Sequence, residues 1–181
     1  VSKGGDVLGS VRWGDVISSG SAKTDGVMVD IIDHGVNWVK TNVVDYDTGE
    51  LVPSRIHFRS LDGVPYQPYG HQNHVNSNLD SFNVDLGGDI RMGQITYAYI
   101  DGTCEGWMPS GGVIVDVDSG FEYETLSEQK CIEPDQRGLE IRLKRWTDMN
   151  SQGWYSCDPH MHFISPSAAL TDARSEGVNV A

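Results

Sequence analysis

The sequence predicts a mainly β protein: an antiparallel β-sandwich followed by a single βα unit that opens a parallel sheet. Three observations predict it. Short runs of alternating apolar and polar residues recur from about Asn37 to Trp146, each closed by a turn signal. No run in that stretch has the spacing of a normal helix. Near the C-terminus the pattern becomes strand, capped helix and strand, which belongs to parallel sheets with crossover helices.

In chain order, residues 1–34 read as an N-terminal arm, with Gly26–Asp33 a strand that could join the edge of the sandwich. Residues 35–146 form the sandwich. Trp38–Val44 is rich in β-branched residues and runs into the polar turn Asp45–Glu50, which contains Gly49. In Val52–Arg59, Val52, Ile56 and Phe58 take the inward parity; Arg55, His57 and Arg59 take the outward one. Residues 64–94 interrupt the rhythm as a long insertion rich in Gly, Pro, Asn, Gln and His, which is unusual in a compact domain unless functional. Strands resume at Ile95–Ile100, Val113–Val117, Phe121–Leu126 and Leu139–Trp146. Residues 147–181 form a linker and the βα unit. Its strand lies around Cys157–Phe163, and its helix has Ser165 at the N-cap and Pro166 at the first helical position. Gly177 stops that helix and Val178–Val180 starts the next strand.

Composition excludes several function classes. The chain has 26 acidic and 13 basic residues and a formal net charge of −13. A surface of that sign repels phosphate backbones and anionic bilayers, so neither nucleic acid nor membrane is an expected partner. No run approaches the length of an apolar membrane span. Its 21 glycines in 181 residues exceed the usual share of about 7% and are scattered as turns, which excludes a fibrous repeat. Cys104, Cys131 and Cys157 lack CxxC spacing and read as reduced thiols.

The chemistry concentrates in Asp158-Pro159-His160-Met161-His162. In a strand, residues at i, i+2 and i+4 share a face. Asp158, His160 and His162 would then aim a carboxylate and two imidazoles at one point, the beginning of a metal site. Asp158 reads equally as a ligand, as a group orienting an imidazole, or as a turn carboxylate. A hydrolytic site needs three protein ligands and an open position, so no catalytic set is complete within these residues.

A second grouping is a candidate polar pocket of Arg55, His57, Arg59, His71 and His74, formed if the insertion folds over the outward face of the Val52–Arg59 strand. Solvated loop groups are its bland alternative. Trp107, Trp146, Trp154, Tyr97, Tyr99 and Tyr123 could form a sugar-stacking platform, although aromatics in alternating strands are more often core. Asp45, Asp47, Asp116 and Asp118 lack the spacing of a calcium loop and read as turn carboxylates.

Gly153-Trp154-Tyr155-Ser156-Cys157-Asp158-Pro159-His160-Met161-His162-Phe163 resembles the entry into the catalytic domain of CehA/McbA-type metallohydrolases of the polymerase-and-histidinol-phosphatase (PHP) superfamily. The usual form there is Gly-Trp-x-Ser-Gly-Asp-x-His-x-His, with Cys157 standing where Gly is common. Val44-Asp45-x-x-Thr48-Gly49-x-x-Val52-Pro53-x-Arg55-Ile56 and Gly120-Phe121-Glu122-Tyr123 resemble the sandwich that precedes that domain, a carboxypeptidase regulatory-like (transthyretin-like) module.

The resemblance covers roughly residues 35–181. It implies that His160 and His162 are the first metal ligands, that Asp158 is the acidic position beside them, and that the βα unit opens an incomplete PHP-like α/β barrel. It implies the N-terminal part of a metal-dependent hydrolase of an amide, ester or phosphoester bond, using zinc, manganese or iron to activate water. Metal retention by these residues alone is expected to be weak or absent. The alternative is a non-catalytic sandwich that binds a carbohydrate or protein, or docks. An unfinished parallel sheet, with the stripe Ala169, Leu170 and Ala173 only partly covered, predicts a homodimer through residues 157–181.

Overall fold

The chain divides into two compact units, residues 1–34 and 35–181. The computed structural model describes residues 2–3, 5–31, 35–70, 89–93, 95–161 and 166–181. In the first unit, β1 (Ser2–Lys3) pairs with β2 (Asp6–Val7), and α1 (Trp13–Ser19) precedes the hairpin of β3 (Ser21–Thr24) and β4 (Val27–Asp30). Within this unit, Val27–Asp30 of the strand expected at Gly26–Asp33 pairs with Ser21–Thr24. Sequential hairpin pairing requires no loop closure over distance, which favours it.

The second unit is the sandwich. One sheet places β5 (Asn37–Asp45) in its centre; the other centres on β6 (Ser54–Ser60), with the short β7 (Pro65–Tyr66) paired to one end of it. Around these lie β8 (Asp89–Met92), β9 (Ile95–Ile100), β10 (Thr103–Met108), β11 (Gly111–Asp118), β12 (Leu126–Ile132) and β13 (Gly138–Leu143). The three-stranded sheet has the order β10-β5-β13 and the larger sheet β12-β11-β6-β9-β8. All pairs in the larger sheet are antiparallel, whereas β13 runs parallel to β5.

The core lies between the sheets. Val39, Val43, Ile141 and Leu143 of the smaller sheet meet Ile56, Phe58, Val113, Val115 and Ile100 of the larger one in a single buried cluster. This is the inward parity expected for Ile56 and Phe58. Val52, which precedes β6, also joins that cluster.

Several strands differ from expectation: β10 was not anticipated, and β7 and β8 lie within the stretch 64–94 read as an insertion. Residues 121–125 lie outside the strands apart from a lone bridge from Tyr123 to Arg145, and the strand starts instead at Leu126. Leu126–Ile132 lacks an apolar alternation because its more buried positions include the charged Glu128 and Lys130; its burial nonetheless alternates strictly. Asp116 is a strand residue and not a turn carboxylate; it faces Arg59 across the sheet, with Nε to Oδ2 at 3.0 Å.

Candidate functional site

The C-terminal segment builds a small parallel unit against the sandwich. Cys157 and Val180 form a parallel bridge. The Asp158 amide donates to the Val180 carbonyl at 2.9 Å, and the Val180 amide donates to the Ser156 carbonyl at 3.1 Å. Between the two segments runs α2 (Pro166–Ser175). Its end is a Schellman motif: the Val178 amide reaches the Ala173 carbonyl at 2.7 Å, the Gly177 amide reaches Arg174, and Gly177 takes φ +69°. Gly177 therefore stops the helix as its sequence position predicts.

Asp158 and His160 follow the carboxyl end of the first of these parallel segments. The expected strand through Cys157–Phe163 is not what they adopt. Cys157 makes its one bridge, and residues 158–161 lie outside strands. Pro159 explains this, because it lacks an amide hydrogen and cannot donate to a ladder. The Asp158 carboxylate instead accepts the His160 amide at 3.1 Å, an Asx turn across Pro159. His160 is exposed on this turn and Asp158 is half-buried. His162 lies outside the described residues. Carboxylate and imidazole are donors that suit zinc, manganese or iron, so the two fit a metal in kind. They are too few to hold one alone: among the described residues no group of three or more His, Cys, Asp or Glu could do so.

What fixes this unit is its docking onto the sandwich. Ala168, Ala173 and Ser175 are buried, and α2 packs on β9 and β6. The Ser175 hydroxyl donates to the Ile100 carbonyl at 3.4 Å. Just beyond the helix, the Glu176 carboxylate pairs with Arg55 of β6 and accepts the Tyr99 hydroxyl of β9 at 2.7 Å; Arg55 also pairs with Asp118 of β11. Burial would lower the Arg55 pKa, but Glu176 and then Asp118 outweigh it and raise it. Gly120 makes the approach possible: a Cβ there would sit 2.6 Å from the Glu176 carbonyl carbon.

The apolar stripe expected on this helix is partly covered. Ala173 is covered by the chain's own sandwich, and Leu170 points outward, 53% exposed. One residue pays for the docking. Asp172 has a buried Oδ1 with no hydrogen-bond partner, and burial, then Glu176, pushes its pKa up to about 6.

The candidate polar pocket separates into two environments. Arg55 joins Glu176, as above, while His57 and Arg59 line a cavity of about 470 Å³ with Tyr66, Gln67 and Thr96. Arg55 pairs with Asp118, and Arg59 with Asp116, two residues apart along β11. His71 and His74 lie outside the described residues. His57 Nδ1 is 2.9 Å from the Thr96 carbonyl, so the ring presents Nδ1–H there; burial, foremost, holds its pKa below the ordinary value.

A larger cavity, about 650 Å³, was not anticipated from sequence. Arg145 lines it, with its guanidinium 4.8 Å over the Tyr123 ring and facing Glu122 and Asp148 at 3.5 and 3.6 Å. Asp45 caps its own turn, accepting the Asp47 and Thr48 amides, and also accepts the Tyr123 hydroxyl at 2.9 Å. Burial would raise the Asp45 pKa, yet the bonds from Thr48, Tyr123 and Asp47 bring it below the ordinary carboxylate value. The available signal is that Arg145 shares the inward parity of Ile141 and Leu143, an arginine where an apolar residue would continue the pattern. Arg145 donates to the Tyr123 hydroxyl at 2.9 Å, while its Nε is buried without a hydrogen-bond partner among the described residues.

No family model, curated protein or solved structure matches this chain. Function therefore rests on the geometry above and on the sequence resemblance.

Proposed function

We propose that this chain is the N-terminal part of a metal-dependent hydrolase of an amide, ester or phosphoester bond, with the β-sandwich serving to dock and orient the first βα unit of the catalytic domain. One observation carries the reading. A parallel bridge, a crossover helix and a turn bearing a carboxylate and an imidazole follow one another, with the turn at the carboxyl end of the parallel segment. Open and closed α/β sheets bind ligands at that end of their strands.

In this reading His160 and His162 are imidazole ligands to zinc, manganese or iron, and Asp158 lies beside them. A metal held there supplies a Lewis acid that acidifies a water molecule. The chain's own contribution is orientation. The Asx turn holds His160 relative to Asp158, the bridge at Cys157 holds the turn relative to Val180, and Glu176 ties the unit to the sandwich.

The test is metal analysis of the protein as encoded by its gene, alongside His160→Ala and His162→Ala. At least one equivalent of metal surviving dialysis, and lost in both variants with the fold intact by circular dichroism, is expected. Metal content that ignores both substitutions would overturn the assignment and leave the sandwich as a non-catalytic docking or binding module. A dimer through residues 157–181 is proposed on Leu170 and Val180, 53% and 54% exposed. Sedimentation as a monomer at high micromolar concentration would remove it.

A further inference from the structure

The outward face of the three-stranded sheet carries an arrangement that neither the core nor the docked helix uses. Burial alternates along β5 and β10, so Val39, Thr41, Cys104 and Met108 face inward. Trp38, Lys40, Glu105 and Trp107 take the opposite parity. Trp38 and Trp107 are directly paired across the two strands, ring centroids 5.1 Å apart at 78°. Tyr69, bridged to Glu105 beyond the edge of β10, stacks on Trp38 at 5.7 Å and 23°. The Trp38 indole donates to Glu105 Oε2 at 3.0 Å, which fixes the middle ring. Trp107 and Tyr69 remain 38% and 45% exposed.

A cross-strand aromatic pair stabilises a sheet by itself, but it needs no third ring brought in from outside the strand pair. Here three rings are set on rigid backbone with part of their surface in water. Such rings give large contact area at little ordering cost. The charge around them selects the ligand. Lys40 and Arg142 balance Glu105 and Glu140 on this face, and Arg142 is already paired with Glu140 at 2.8 Å. On a chain of net charge −13, a locally neutral face favours neither a cation nor an anion. Its polar groups both donate and accept, as ligand hydroxyls require.

We propose that this face binds a neutral oligosaccharide, with pyranose rings stacked on Trp107 and Tyr69 and hydroxyls bonded to Glu105 and Lys40. The inference is independent of the metal reading, since it uses neither the C-terminal unit nor its docking contacts.

Isothermal titration of the full chain against cello-, malto-, xylo-, manno- and chitotetraose tests it, with a heparin tetrasaccharide as the anionic control. At least one neutral sugar should bind, and Trp107→Ala should weaken it about tenfold or more with the thermal midpoint little changed. Trp107→Phe, which keeps an aromatic surface, should retain most of the affinity. Should Trp107→Ala fail to fold, Tyr69→Ala is read in its place. Heat from none of the neutral sugars, binding of heparin alone, or binding that ignores both aromatic substitutions overturns the proposal.

Discussion

The two outer faces of the sandwich differ in what the chain does with them. On the larger sheet, Arg55 of β6 and Tyr99 of β9 receive Glu176, and α2 lies over them. On the smaller sheet, Trp38 and Trp107 stand out from β5 and β10 with Tyr69 beside them. Both faces arise from the same alternation, with apolar residues turned inward. The inward half is similar chemistry, apolar and mostly β-branched or aliphatic on both sheets. The outward half decides role: paired charges hold the chain's own helix, while aromatics in a neutral setting leave a surface for something else.

Phe58→Ala should break both faces together. Phe58 is 1% exposed in the shared core, and truncation there should cost about 4 kcal/mol. Urea denaturation followed by helix and tryptophan signals should show one transition moved, with both probes coincident.

Gly120→Ala should strike the covered face alone. Gly120 has φ +56°, and an added Cβ would meet the backbone of Glu176 and Gly177 at 2.6–2.7 Å. The expected loss is about 3 kcal/mol, appearing as accelerated amide exchange in α2 while the β5 and β10 amides stay protected. Equal loss of protection in both regions would show that the faces are not separable.

Glu176→Gln should act on the same face more gently, by about 2 kcal/mol. It removes the charge that Arg55 and Tyr99 share but keeps the shape. Asp172→Asn should sharpen the comparison in the opposite direction. A carboxyl whose folded pKa is raised to about 6 adds stability that is fully present below its unfolded value. That stability disappears as pH rises through about 6. The variant should therefore be the more stable protein at pH 7.5, by at most about 1 kcal/mol given partial exposure. It should also lose the decline between pH 4 and 6 that the parent shows in thermal midpoint, a range bracketed by the ordinary and raised carboxyl pKa values. A midpoint with the same pH profile in both proteins would remove Asp172 from the docking.

Much of the fold is legible because period-two burial is written locally. The inward parity of Ile56 and Phe58, the strand Ile95–Ile100 and the Gly177 stop each follow from a few neighbouring residues. What fails is what a strand's own alternation does not carry, whether the partner is adjacent or distant in sequence. Val27–Asp30 reads as a strand, but its partner Ser21–Thr24 could not be inferred from its own pattern. Asp158, His160 and His162 have strand spacing, yet Pro159 and the Asx turn override it at the first step. Arg55 and His57 are neighbours on one face by parity, but Glu176, about two-thirds of the chain away, claims Arg55. The candidate ligands were visible as residue types; their holding geometry was not, because nothing in the local patterns of Glu176, Gly120 and Tyr99 marks them as meeting.

The most direct measurement is a double-mutant cycle on Arg55 and Glu176, using Arg55→Gln, Glu176→Gln and the double variant, read as the free energy of amide exchange in α2. Docking through this ion pair predicts a coupling energy of about 1–3 kcal/mol, with the double variant little worse than either single one. Strictly additive losses, or α2 protection unchanged in all three, would contradict the docking of the βα unit on the sandwich and, with it, the orientation of the Asp158–His160 turn.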